Sequence, residues 1–236
     1  MTLVIAHRGA STAAPENTLE AFQKAIDVGA DMIELDVRRT RDGRLVTFHD
    51  RALGGAPVGT LTLAEMSARL GRTPALLHEV VELVRGRIRL DLELKEDGYV
   101  ESVLDAAAPL GPENYIVTSF IDGVVSQAKR LEPALEAGLL MGIDRPERHI
   151  RTRLSELRPV QRAQACRADF IALHFTLARL GALSRAAAAG YPAIVWTVND
   201  ARGLREFLRD RRVTGVITDL PERALRVRAK ITSRGR

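Results

Sequence analysis

Eight short apolar runs alternate with amphipathic stretches along the chain, and this alternation predicts an α/β fold of the TIM, or (β/α)8, barrel type. The 236-residue length suits one such barrel, and the apolar fraction of 46% supplies a core of matching size. We expect one domain over residues 1–226, followed by a basic, frayed tail over residues 227–236. The predicted strands are Leu3–His7, Met32–Val37, Ile88–Leu94, Tyr115–Ser119, Ala137–Gly142, Phe170–His174, Ala193–Val198 and Gly215–Thr218.

The stretches between the strands have helical periodicity, and the first is the clearest. Leu19 and Phe22 share one face of a helix predicted over Thr18–Val28. Asn17 is its predicted N-cap, since Glu20 three residues later completes a capping-box pattern. The loop before this helix should therefore follow strand one at the end of the barrel where such folds build their sites. Further helices are predicted over Leu63–Leu70, Glu79–Val84, Val100–Ala107, Asp122–Leu131, Arg179–Ala189, Gly203–Asp210 and Pro221–Ala229.

The composition argues against several classes of protein. A lone cysteine, Cys166, rules out an internal disulfide framework and fits a reducing compartment. The net charge of +5 comes from scattered arginines with few aromatic residues among them, so we expect no nucleic-acid partner. We find neither a signal-peptide pattern nor a run of about 18 apolar residues, so we expect a cytoplasmic protein without stable membrane insertion. No feature marks an interface, which leaves the oligomeric state open.

Two histidines lie where apolar runs end. His7 ends strand one and precedes Arg8, and His49 ends a second short run. A histidine at the mouth of a barrel is well placed to transfer protons near neutral pH. The guanidinium of Arg8 offers a two-pronged contact to a phosphate. By contrast, we expect His78 and His149 at the surface, because no comparable polar residues accompany them.

Carboxylates alternate with apolar residues along two of the predicted strands. Glu34 and Asp36 share one face of the second strand, and Asp91, Glu93 and Lys95 share one face of the third. The apolar faces should pack on helices, so these polar side chains should project into the barrel. Crowded carboxylates repel unless a cation joins them, and all-oxygen ligands select a hard ion, Mg²⁺ or Ca²⁺. An ion-pair network inside the barrel is the alternative interpretation.

A series of short motifs runs through nearly the whole chain, and together they are specific. They are HRG at 7–9, PENT at 15–18, GADMIELDV at 29–37, TRDG at 40–43, HD at 49–50, LELK at 92–95, SF at 119–120, WTVND at 196–200 and GVITDLP at 215–221. In this order they resemble the glycerophosphodiester phosphodiesterase family. The resemblance implies a TIM barrel with one divalent cation, Mg²⁺ or Ca²⁺, at its mouth.

The resemblance also implies a role for particular residues. The metal ligands it implies are Glu34, Asp36 and Glu93. The acid/base pair it implies is His7 and His49. The substrate contacts it implies are Arg8, Lys95 and Trp196, the last of which could equally be a core residue. The implied reaction is hydrolysis of a glycerophosphodiester to sn-glycerol 3-phosphate and an alcohol, with water or a substrate hydroxyl as nucleophile; which histidine is the acid stays open.

Two other functions fit the same pattern. A lysophospholipase D, similar to the sphingomyelinase D enzymes, would use the same barrel and the same polar residues on a lysophospholipid. A non-catalytic barrel that binds anions is the second alternative. The segment Arg51–Met66 is shorter than in many family members, and we expect it to form part of a lid over the pocket.

Overall fold

Eight parallel strands close into a barrel in the computed structural model, which describes residues 1–142 and 158–233. The strands are β1 (Leu3–His7), β2 (Met32–Arg39), β3 (Leu45–Thr47), β4 (Ala52–Leu53), β5 (Ala56–Pro57), β6 (Arg89–Leu94), β7 (Tyr115–Ser119), β8 (Glu136–Met141), β9 (Phe170–His174), β10 (Ala193–Trp196) and β11 (Val213–Thr218). Strand β1 pairs with β2 on one side and with β11 on the other, which closes the cylinder. The predicted barrel is confirmed, and each predicted strand overlaps an observed one.

Helices connect the barrel strands and cover their outer surface. They are α1 (Leu19–Asp27), α2 (Leu63–Leu70), α3 (Leu77–Val84), α4 (Val100–Ala107), α5 (Asp122–Leu131), α6 (Pro159–Cys166), α7 (Phe175–Leu177), α8 (Leu183–Ala188), α9 (Ala201–Phe207) and α10 (Pro221–Ser233). Within the described ranges, no helix combines the length and the apolar character that crossing a membrane requires.

The alternation of side chains along the strands produces two apolar clusters. Ile33 and Leu92 face outward and are buried with helix residues such as Phe22 in the large cluster between the strands and the helices. Ile5 and Met32 face inward and belong to a smaller cluster that fills the barrel interior. The inward residues further along these strands are polar, so the polar site rests on an apolar base.

The first helix is capped by a different residue from the one predicted. Thr18 is the N-cap, and its hydroxyl accepts a hydrogen bond from the backbone N–H of Ala21 at 3.2 Å. The Asn17 prediction is wrong because the Asn17 side chain has a tertiary partner. Its Nδ2 donates to Asp36 Oδ2 at 2.7 Å, and its Oδ1 accepts from the Asp36 backbone N–H at 3.2 Å. A buried carboxylate on β2 therefore outcompetes the helix end for this side chain.

The last helix is longer than the sequence suggested. Residues 227–233 are helical, so the frayed tail expected there is wrong. Val227 packs against the large core cluster, and Arg228 forms an ion pair with Asp31. These contacts tie the helix to the amino-terminal end of the barrel. The rest of the expected tail, residues 234–236, lies outside the described residues.

Candidate active site

The strand register brings His7 and four carboxylates together inside the barrel. His7 of β1 lies beside Glu34 of β2, and Glu34 and Asp36 lie beside Asp91 and Glu93 of β6. One oxygen from each of Glu34, Asp36 and Glu93 lies within 4.8 Å of the other two. We call these three residues the carboxylate cluster. All three are buried, as the alternation of polar and apolar residues predicted.

The carboxylate cluster carries more negative charge than its surroundings offset. Burial, together with repulsion from neighbouring carboxylates, raises the pKa of Glu34 well above its usual value. Burial also raises the pKa of the adjacent Asp91 to about 7, although Thr118 donates a hydrogen bond to it. Glu34 Oε1 is buried and has no hydrogen-bond partner within the described residues. These residues fit a divalent hard cation, since oxygen donors with uncompensated charge are its usual ligands.

Two cations, the buried Lys95 and the partly exposed Arg8, lie against the carboxylate cluster. Lys95 Nζ lies 2.6 Å from Asp36 Oδ1 and also forms an ion pair with Glu93, while Arg8 Nε lies 3.2 Å from Asp36 Oδ2. Burial would raise the pKa of Asp36, but the charges of Lys95 and Arg8 outweigh it and lower that pKa. The ion pairs of the alternative interpretation are therefore present. They compensate Asp36 and leave Glu34 with a raised pKa.

The loop after β1 packs closely against α1 because the third residue of the HRG motif is glycine. Gly9 has a φ of +84°, and a Cβ at this position would lie 2.7 Å from the backbone carbonyl carbon of Ala21 in α1. This close approach keeps the loop against the helix. It leaves the backbone N–H of Arg8 free to donate to Glu34 Oε2 at 3.0 Å. The HRG motif thus supplies a histidine, a cation and a turn that brings both to the carboxylates.

His7 has a partner that the sequence analysis missed. Its Nδ1 lies 2.6 Å from Asp219 Oδ1, just after β11, and its Nε2 lies 3.9 Å from Glu34 Oε2. Because an ionised carboxylate can only accept, neutral His7 carries its proton on Nδ1 and presents Nε2 to the carboxylate cluster. Burial would raise the pKa of Asp219, but the hydrogen bond from His7 and its positive charge when protonated outweigh burial and lower that pKa.

Asn199 holds Asp219 in turn. Asn199 Nδ2 donates to Asp219 Oδ2 at 2.5 Å, and Asn199 Oδ1 accepts from the Asp219 backbone N–H at 2.9 Å. Both residues lie within the motifs WTVND and GVITDLP. A polar residue in the loop after a barrel strand was the available signal for each, since Asp219 directly follows β11 and Asn199 lies in the loop after β10.

His49 is held in a different way. Its Nδ1 lies 2.9 Å from Asp50 Oδ1, and the two side chains are 38% and 71% exposed. Its backbone carbonyl accepts two hydrogen bonds from Arg38, from Nε at 3.0 Å and from Nη2 at 2.7 Å. Arg38 is buried and also pairs with Glu96. The sequence analysis predicted His49 but assigned nothing to Arg38 or Glu96.

A cavity of about 850 Å³ opens above the carboxylate cluster. The polar part of its lining includes His7, Arg8, Glu34, Arg38, His49, Asp91, Glu93 and Lys95. The apolar part consists of Phe120, Ile121, Leu140, Trp196 and Ile217. His7, His49, and Glu34 and Glu93 of the carboxylate cluster therefore line one cavity with an apolar side.

Trp196 lies in the apolar wall of this cavity, as the sequence suggested for a pocket residue. Its ring meets Phe120 edge to face, with centroids 5.6 Å apart, and its Nε1 donates to the carbonyl of Ala172 at 3.1 Å. A Cβ on Gly142 would lie 2.5 Å from the indole ring. Glycine at that position therefore lets the ring approach the backbone closely.

Most of the segment that was expected to form a lid lies elsewhere. Within Arg51–Met66, Arg51 is the cavity-lining residue among those described. The strands β4 and β5 pair as a small hairpin, and Val58 and Met66 are buried in a separate cluster with Val46. The lid expectation is wrong for the part after Arg51, because its apolar residues pack on β3.

The other histidines lie outside the cavity lining or outside the described residues. His78 is exposed, as expected. His174, which ends β9, packs against the edge of Trp196 with ring centroids 5.1 Å apart. His149 lies in the part of the chain that is not described.

Comparison with known families decides what this arrangement belongs to. The model of the glycerophosphoryl diester phosphodiesterase family matches residues 7–223. The chain belongs to this family. Its members are phosphodiester hydrolases, and the matched range contains both histidines, the carboxylate cluster and Asp219.

Two relatives match this chain over different shares of its length. A glycerophosphodiester phosphodiesterase of Bacillus altitudinis is 30% identical over 98% of this chain and 100% of its own length. One from Caldanaerobacter subterraneus is 35% identical over 59% of this chain and 66% of its own length. The likeness to the first thus spans both chains almost completely.

Solved structures of the family share the barrel. The glycerophosphodiester phosphodiesterase of Thermotoga maritima superimposes with a TM-score of 0.78 at 27% identity, over 97% of this chain and 99% of its own. A phosphodiesterase of Oleispira antarctica, solved in complex with the product sn-glycerol-3-phosphate, has a TM-score of 0.76 at 24% identity, over 96% of each chain. At 24% identity, the likeness to the Oleispira structure shows a shared fold alone.

Proposed function

We propose that this protein hydrolyses glycerophosphodiesters to sn-glycerol 3-phosphate and an alcohol, with one divalent cation and two histidines. The observation that carries the proposal is that His7, His49, Glu34 and Glu93 line one cavity, with Asp36 completing the carboxylate cluster beneath it. The names of the Bacillus and Caldanaerobacter relatives support the same reaction. The product bound to the Oleispira phosphodiesterase supports sn-glycerol 3-phosphate as the phosphate-bearing product.

The carboxylate cluster would hold the cation, through Glu34, Asp36 and Glu93. Oxygen donors favour Mg²⁺ or Ca²⁺. When bound, the cation supplies positive charge that polarises the phosphate. Asn17 donates one hydrogen bond to the Asp36 carboxylate and accepts one from the Asp36 backbone N–H, so this ligand is oriented before substrate arrives.

The two histidines divide the proton transfers. His7, with its Nδ1 proton held by Asp219, accepts the proton of the nucleophile on Nε2. The nucleophile is water or the glycerol hydroxyl of the substrate, and its oxygen bonds to phosphorus as the bond to the alcohol breaks. His49, the more exposed ring, donates a proton to the departing alcohol oxygen. If the glycerol hydroxyl attacked, one water molecule then bonds to phosphorus and gives up a proton, while the bond from phosphorus to that glycerol oxygen breaks and the oxygen takes up a proton.

Arg8, Lys95 and Trp196 bind the substrate in this scheme. The two cations already lie at the carboxylate cluster, so their charge is in place where a phosphate anion would enter. Ion pairs with Asp36 fix both side chains and reduce the entropy lost when substrate binds. Trp196 offers a flat apolar surface to the carbon atoms of the glycerol.

The test is release of sn-glycerol 3-phosphate from glycerophosphocholine, measured with EDTA and after addition of Mg²⁺ or Ca²⁺. We expect release that EDTA abolishes and one of the two ions restores. The variant Glu34→Gln should bind the ion weakly and stay folded by circular dichroism. Absence of release with either ion would reject the proposed substrate, and release in EDTA would reject the cation.

A second candidate function is hydrolysis of lysophospholipids by the same residues. The apolar side of the cavity, which includes Phe120, Leu140 and Trp196, favours it because an acyl chain needs such a surface. Turnover of lysophosphatidylcholine against glycerophosphocholine separates the two. A higher kcat/KM for the lysolipid would favour the second candidate, and no turnover of either would favour an anion-binding barrel.

A further inference from the structure

Arg38 lies in the candidate active site but is used differently from Arg8 and Lys95. It is the next inward position of β2 after Glu34 and Asp36, since side chains alternate along a strand. It is 4% exposed and lines the cavity. Arg8 and Lys95 both pair with carboxylates of the cluster, whereas Arg38 pairs with Glu96 and with a backbone carbonyl.

The guanidinium of Arg38 donates twice to one carbonyl. Nε and Nη2 both donate to the backbone oxygen of His49, at 3.0 Å and 2.7 Å. Nη1 forms an ion pair with Glu96 on the loop after β6. Tyr99 supports Glu96, because its hydroxyl accepts from the Glu96 backbone N–H at 3.1 Å and donates to the carbonyl of Val37 at 2.7 Å.

The chain at His49 needs such a partner because the strand has already ended. The pairing of β3 with β2 stops at Thr47, and the last backbone hydrogen bond to β2 runs from Phe48 N–H to the carbonyl of Asp36 at 3.0 Å. The carbonyl of His49, one residue further along, is bonded by the Arg38 side chain. A rigid planar donor thereby replaces the strand ladder for one more peptide unit.

We infer that Arg38, held by Glu96, is a positioning residue that fixes the backbone of His49 and so sets its ring above the carboxylate cluster. The inference rests on the proposed function, in which His49 transfers a proton. The His49 ring itself contacts an exposed carboxylate, Asp50, and gains little orientation from it. The contact between Arg38 and the His49 carbonyl is the buried one, so it fixes the backbone position from which the ring projects.

Arg38 acts through His49 rather than on the substrate. Its three donor nitrogens are directed at the His49 carbonyl and at Glu96. Loss of these contacts should move the ring by a fraction of an ångström to an ångström. A displacement of that size lowers a proton-transfer rate by about 10- to 100-fold while substrate binding is little changed.

The test is a double-mutant cycle between Arg38→Met and His49→Ala. We expect Arg38→Met to lower kcat by about 10- to 100-fold, with KM and the affinity for the divalent cation within about 3-fold of wild type. In the His49→Ala background the same substitution should cause no further fall, because Arg38 has nothing left to position. The low residual rates are measured at high enzyme concentration.

Arg41→Met is the matched control. Arg41 also donates to a backbone carbonyl, that of Thr60 at 2.9 Å, and also pairs with a glutamate, Glu65, but it is exposed and outside the cavity lining. Its substitution should leave kcat within about 2-fold of wild type. Equal losses in both arginine variants would overturn the inference.

Glu96→Gln keeps the inference testable if Arg38→Met does not fold. The Glu96 side chain is 42% exposed, so its substitution leaves no buried charge unpaired except that of Arg38, which keeps its bonds to His49. We expect about a 3- to 10-fold fall in kcat that also disappears in the His49→Ala background.

The outcomes separate the two proposals. Near-normal activity of His49→Ala would reject the role of His49 in the proposed function. Loss of activity in His49→Ala with normal kcat in both Arg38→Met and Glu96→Gln would reject the positioning inference alone. A further fall when Arg38→Met is added to His49→Ala would also reject it, since Arg38 would then act on substrate or fold directly.

Discussion

The two histidines of the cavity are held through different parts of the residue, one through its side chain and the other through its backbone. His7 is fixed through its ring, because Nδ1 bonds to Asp219 and Asn199 holds Asp219 from the other side. His49 is fixed through its backbone carbonyl, and its ring is 38% exposed beside Asp50. The tautomer of His7 is therefore fixed by its partner. His49 has a fixed backbone position, and its ring is freer to rotate.

This difference matches the two proton transfers that the proposed reaction needs. A base that receives a proton from a small nucleophile benefits from a fixed lone pair and a carboxylate behind it. An acid that serves alcohols of different size benefits from a ring that can follow the departing oxygen. The two holding networks therefore differ in the way that the two proton transfers of the proposed reaction differ.

Removal of either imidazole tests whether both His7 and His49 contribute to catalysis. His7→Ala and His49→Ala should each lower kcat for glycerophosphocholine by at least about 100-fold, because each transfers a proton in the proposed scheme. Thermal unfolding should remain within a few degrees of wild type, as both side chains lie at the cavity surface. A variant that keeps near-normal turnover would remove that histidine from the mechanism.

The side chain behind His7 gives the next largest effect. Asp219→Asn should lower kcat by about 10- to 100-fold, since an amide can no longer stabilise the protonated ring and can reverse its tautomer. Nitrogen-15 chemical shifts of the His7 ring report the tautomer directly. In the His7→Ala background the substitution should have no further effect on kcat. An unchanged tautomer together with an unchanged kcat would contradict the paired role of Asp219.

A change at the proposed cation site should affect the proton transfers of His7 and His49 equally. Asn17→Ala removes two hydrogen bonds to Asp36 and should weaken divalent-cation binding by about 10-fold, measured by calorimetry. At saturating cation, kcat should return close to the wild-type value. Asn114→Ala is the control, because the Asn114 amide donates to the carbonyl of Leu110 far from the cavity. Unchanged cation affinity in Asn17→Ala would mean that Asp36 needs no such support.

The carboxylate beside His49 should give the smallest effect. Asp50 is 71% exposed, so its pairing with His49 is screened by water. Asp50→Asn should lower kcat by less than about 3-fold, measured beside Asp219→Asn under the same conditions. A loss as large as that of Asp219→Asn would show that the two histidines are held alike, and the comparison above would fail.

The barrel and the carboxylates were predictable because they depend on local patterns. A strand that alternates polar and apolar residues has one polar face wherever it lies in the fold, and this placed Glu34, Asp36 and Glu93 inside. The predicted ends of β1, β7 and β9 are also the observed ones. For these elements a short window of sequence contains the decisive information.

The supporting residues depend on contacts that no short window contains. Asp219 meets His7 across 212 positions of the chain, and Arg38 meets His49 through an antiparallel strand that is not part of the barrel. Asn17 fits the pattern of a helix cap, yet a buried carboxylate claims its side chain. Sequence patterns thus located the chemically reactive groups, whereas their orientation required the assembled fold.

The closure of the barrel has a consequence for how the protein is made. Strand β1, which carries His7, completes its pairing with β11, and Asp219 follows directly after that strand. A chain emerging from the ribosome therefore has all three candidate metal ligands long before His7 acquires its partner. Strand β1 is made first, yet its His7 waits for β11 before the ring nitrogen can meet Asp219.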